Sequence, residues 1–108
     1  MVRRDEAITR VQQKVATDKL TCQRLCISEM PVDRDTLFDM TGRRVPFPET
    51  APYDRCYVAL LDSEIVAPWG HPALWAFIPV DAQSDILFVP TQFPENAKGS
   101  IRFVEVPR

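Results

Sequence analysis

Glycine and histidine are both scarce in this chain, with three glycines and one histidine among 108 residues. So few glycines, at Gly42, Gly70 and Gly99, build no nucleotide-binding loop, and no catalytic signature surrounds the lone histidine. Neither sign of charge dominates. A net charge of −2 gives no general attraction to nucleic acid or to an anionic membrane. The short pairs Arg3-Arg4 and Arg43-Arg44 read as solvated surface. Long apolar runs are missing too. No stretch approaches a membrane span, and the opening MVRRDEAITR lacks the continuous apolar core of an export signal. These absences predict a cytoplasmic protein with no membrane or nucleic-acid partner. Its three cysteines, an odd number, then read as reduced thiols. No segment repeats and none is of low complexity.

What the chain does have is proline, ten of them, concentrated after Pro46. Proline donates no ladder hydrogen bond and breaks helices, so the middle and end should consist of short strands and loops. With 45% hydrophobic and 26% charged residues the composition is that of an ordinary globular protein, and the length fits one domain over 1–108.

The densest apolar stretch, Ala73 to Thr91, reads as a β-hairpin. Ala73–Val80 and Asp85–Pro90 are its strands and Asp81-Ala82-Gln83-Ser84 its loop. Side chains alternate along a strand, so Leu74, Ala76, Ile78 and Val80 oppose Trp75 and Phe77. In the second strand Ile86 and Phe88 oppose Leu87 and Val89. Both strands are therefore apolar on both faces, which requires cover on both sides of the sheet.

From Arg3 to about Leu20, Ile8, Val11 and Val15 recur at helical spacing, with Asp5 and Glu6 in the first turn and Lys19 near the end. This predicts an amphipathic helix with a thin apolar stripe. Thr21–Glu29 fits either a continuation of the helix or a strand. Low helix propensity at Thr21, Cys22, Cys26 and Ile27 favours the strand, with Cys22 and Cys26 on one face. Asp39 and Gly42 have the spacing of a three-residue hairpin turn, competing with a short helix capped by Asp33. Pro46–Asp54 reads as an extended loop. Cys56–Leu61 and Glu64–Ala67 read as a second hairpin, Pro68–Pro72 and Gln92–Gly99 as loops, and Ser100–Val106 as the last strand. The predicted fold is α+β: an N-terminal amphipathic helix packed on a strongly bent, mainly antiparallel sheet of about five to seven strands.

Function follows from coverage. One thin helix cannot cover a sheet that is apolar on both sides, and several hundred Å² of wet apolar surface would forfeit on the order of 10 kcal/mol. The sheet must close into a barrel, pack on a second copy, or enclose an apolar ligand. The leading expectation is a non-enzymatic interaction module that forms a homodimer through an apolar sheet face. The alternative is a binding protein or minor enzyme for a small apolar ligand, with Trp69, Trp75 and Phe77 as pocket walls and His71 at the mouth. A Cys56–His71 dyad needs a topology the sequence does not supply. Cys22, Cys26, Cys56 and His71 are zinc ligand types, but only the first two are close in sequence, so no metal or other cofactor is expected.

Overall fold

The computed structural model describes residues 2–33, 54–62, 71–81, 84–93 and 103–107. One helix, α1 (Arg4–Thr17), precedes six strands: β1 (Arg24–Ser28), β2 (Val32–Asp33), β3 (Arg55–Asp62), β4 (His71–Pro79), β5 (Leu87–Phe93) and β6 (Phe103–Glu105). The strands form one antiparallel sheet in the order β5-β4-β3-β1-β6, with β2 also paired to β3. The sheet is open, so closure into a barrel is not how this chain covers its apolar faces.

The β4–β5 hairpin forms with the expected alternation. Phe77 faces Leu87 and Trp75 faces Val89. Each strand contributes to two cores, one on each side of the sheet. On the first face Leu25, Ile27, Tyr57, Ala59, Leu61, Ala76 and Ile78 pack with Val2, Ala7 and Val11 from the helical end of the chain. On the second face Val32, Cys56, Val58, Leu60, Ala73, Trp75 and Phe77 form a separate cluster, flanked by Leu87, Val89 and Phe103. β3 is buried at every residue after Arg55, as a central strand covered on both faces must be.

The helix is tied to the sheet at several points. Val2 N–H donates to the Val80 carbonyl at 2.9 Å, and the Arg10 guanidinium donates to the carbonyls of Pro79 and Ser84 at 3.3 and 2.8 Å. The helix stops at Thr17, short of the expected Leu20, through two closing bonds. Lys19 N–H donates to the Ala16 carbonyl at 3.3 Å and Leu20 N–H to the Val15 carbonyl at 2.9 Å. Lys19 itself takes φ 55°, the left-handed conformation that glycine usually supplies in this motif.

Residues 24–28 are a strand, the reading favoured for Thr21–Glu29. Cys22 and Cys26 nevertheless fall on opposite faces. Cys22 lies in the connection before β1 and packs against the first core, whereas Cys26 faces Leu60, a member of the second. Two-residue alternation does not run through the connection, so the expected common face is lost.

Between β1 and β2 the ladder along β3 is interrupted. Ile27 faces Ala59 and Val32 faces Cys56, so five steps on one strand match three on the other. At this interruption Val58 N–H donates to the buried Ser28 hydroxyl at 3.1 Å, and Arg4 Nε donates to the Ser28 carbonyl at 3.3 Å. Met30, in the bulged segment, is 69% exposed, the one large apolar side chain strongly exposed among the described residues.

The partner of β3 differs from expectation. Both edges of β3 are occupied, one by β1 and β2 and the other by β4, so Cys56–Leu61 does not pair with Glu64–Ala67. Residues 64–67 lie outside the described residues, as do the expected Asp39–Gly42 turn and most of the Pro46–Asp54 loop. The sheet extends further than expected at two ends: His71 and Pro72 belong to β4, and Gln92 and Phe93 to β5.

Candidate functional site

The residues singled out as a ligand site fall into three situations. Trp69 lies outside the described residues. His71 is the first residue of β4, paired in register with Phe93. Trp75 and Phe77 are core residues with 0% exposure. Trp75 carries one unusual feature. Its indole Nε1 is buried without a hydrogen-bond acceptor, a cost that buried donors rarely bear.

Topology decides which groups stand near His71. Asp62 faces Ala73, two residues along β4 from His71, which places the two α-carbons roughly 7–8 Å apart as diagonal neighbours. Asp62 is 1% exposed and pairs with Arg24, whose Nη2 lies 3.3 Å from Oδ2. Cys56 faces Pro79, eight residues along β4 from His71, or roughly 26 Å at strand rise. The Cys56–His71 dyad is thus ruled out by register.

The Cys26 thiol is a poor nucleophile in this setting. Burial pushes the Cys26 thiol above its ordinary range, and the nearby Arg24 only partly opposes it. Cys22 Sγ donates to the Arg24 carbonyl at 3.4 Å. Among the described residues no three His, Cys, Asp or Glu side chains cluster as metal ligands.

Grooves among the described residues border the helix. One, of about 310 Å³, lies between α1, the residues entering β1 and those leaving β6, and is lined by Gln12, Val15, Cys22, Gln23, Leu25, Val106 and Pro107. Another, of about 220 Å³, lies between α1 and the residues entering β5 and includes Arg10, Lys14 and Asp85. Its cations are engaged: Arg10 holds the two carbonyls described above, and Lys14 Nζ sits 3.5 Å from Asp18. The first groove was not legible in the sequence, because residues near 12, 23 and 106 converge only in three dimensions.

Comparison of the chain with protein-family models, with curated proteins and with solved structures finds no match. Among the described residues no helix is long and apolar enough to cross a membrane.

Proposed function

We propose that this protein is a non-enzymatic interaction module that self-associates, with the contact along the β5 side of the sheet. One observation carries the reading. Trp75, Ala76 and Phe77 on β4 are fully buried, whereas their β5 partners Val89, Phe88 and Leu87 are only half-buried. The apolar rows of both faces therefore run out to a strand whose outer edge, among the described residues, has no neighbour. An apolar edge of this kind invites cover.

The middle of the second face does not need a second copy, because its side chains are already shielded within one chain. Pro90 further shapes the contact. Val80 N–H donates across to Arg55, so even-numbered residues of β4 point their backbone at β3 and odd-numbered ones at β5. Pro90, opposite Leu74, then faces outward, where a missing N–H breaks no internal bond. A partner at this edge finds an interrupted ladder, and side-chain packing must carry the contact.

Light scattering across a wide protein concentration range tests the reading. The expected result is a mass rising from monomer to dimer, abolished by Val89→Lys. A monomer mass at every concentration would sink it.

A second reading, binding of a small apolar ligand within the second core, is favoured by the unpartnered Trp75 Nε1. The fluorescent probe anilinonaphthalene sulfonate, titrated into a Trp69→Phe variant, should then quench Trp75 by energy transfer with saturation at one equivalent. No saturable change would remove this reading.

A further inference from the structure

The 310 Å³ groove beside α1 has a composition that selects its occupant. Its apolar floor is Val15, Leu25 and Val106, which belong to or border the first core. Gln12 stands on the helix side and Gln23 on the strand side, with Cys22 and Pro107 completing the wall. Among the described residues, no side chain lining it carries a charge. Three of the nearby helix-end carbonyls are engaged: those of Lys14, Val15 and Ala16 already accept hydrogen bonds from Asp18, Leu20 and Lys19.

We propose that this groove is a binding site for a small uncharged molecule with an apolar body and one amide- or lactam-like edge. An apolar floor accepts the body without hydrogen-bond cost. A primary amide offers donors and an acceptor together, the complement of another amide edge, and retains spare capacity even where one of its atoms has a partner. A carboxylate or an ammonium would lose hydration here and meet no counter-charge among the described lining residues. The volume lies at the lower end of the range for small-molecule sites, matching a single ring system with one polar substituent. The groove opens on the side of the helix remote from β5, so the site is independent of the self-association proposed above.

Three probes of nearly equal size separate the possibilities: benzamide, benzoate and benzylamine. Each is titrated into the intact protein while methyl signals of Val15, Leu25 and Val106 and the side-chain amides of Gln12 and Gln23 are followed by NMR. Benzamide should produce saturable shifts at these signals and slow alkylation of Cys22, with benzoate and benzylamine producing weaker ones. Gln12→Ala should weaken benzamide by about fivefold, the loss of one neutral hydrogen bond, with an unchanged spectrum elsewhere. Val15→Phe, which fills the groove, should abolish binding while the concentration dependence of mass stays as in the wild type. Equal shifts from all three probes, shifts remote from the groove, or none at all would overturn the proposal.

Discussion

The rings of Trp75 on β4 and Phe103 on β6 meet with centroids 5.7 Å apart and planes tilted by 42°, although β3 and β1 separate their strands. In a flat sheet, three strand spacings and one row of offset would put their α-carbons roughly 16 Å apart. The sheet must therefore curl along this diagonal toward its second face, as the saddle of a twisted sheet allows. On this face Val58 and Leu60 of β3 lie beside Trp75, while β1 presents only the small side chains of Cys26 and Ser28 next to Phe103.

That contact predicts a coupled pair. Trp75→Ala should destabilise the protein by about 3–5 kcal/mol. A double-mutant cycle with Phe103→Ala should return about 0.5–1.5 kcal/mol of coupling by urea unfolding. Trp75→Phe should cost distinctly less than Trp75→Ala, because it removes the unpartnered Nε1 together with part of the ring. Additive effects of the two truncations would show that the rings contribute only area.

Ser28 substitutes for a ladder bond that the bulge removes. Ser28→Ala leaves the buried Val58 N–H without the hydroxyl, and unfolding free energy should drop by about 1–3 kcal/mol. Hydrogen exchange at Val58 should accelerate in the same variant.

Lys19 holds a conformation that costs a side chain energy. Lys19→Gly should raise stability by about 0.5–1 kcal/mol, since relief of left-handed strain outweighs the added backbone freedom. Lys19→Ala, which keeps a Cβ, should show no such gain in thermal unfolding.

The Arg24–Asp62 pair is asymmetric, with Asp62 buried and Arg24 one-third exposed. Arg24→Met deprives a buried carboxylate of its cation and should cost about 2–3 kcal/mol, after allowance for the exposure of Arg24. Asp62→Asn leaves a cation that water can solvate and should cost less. The order of the two variants in urea midpoint checks this.

Alkaline pH should weaken the fold. Burial raises the Cys26 thiol and the Tyr57 phenol above ordinary values of 9.0 and 10.0. Both groups hold their protons more tightly folded than unfolded. Stability is thus intact below pH 9.0 and declines as pH climbs through the folded values. Melting temperature should fall over that window, and Cys26→Ser should flatten its first part.

Periodicity and composition alone determined the helix, the β4–β5 hairpin, the alternation that sorts its side chains to two faces, and the need to bury both. These rest on local steric rules that each residue obeys wherever the strand lies. The stop at Thr17 was not legible, because the motif that ends the helix uses Lys19 where glycine would have marked it. Register was not legible either, because it depends on which strand occupies each edge of β3. That choice placed Asp62 beside His71 and moved Cys56 to the far end, while the irregular connection before β1 set Cys22 and Cys26 on opposite faces and the packing of the helix gathered Gln12, Gln23 and Val106 around one groove. Only tertiary structure settles such pairings, since cross-strand contact is a property of two segments and a sequence states the preferences of each one separately.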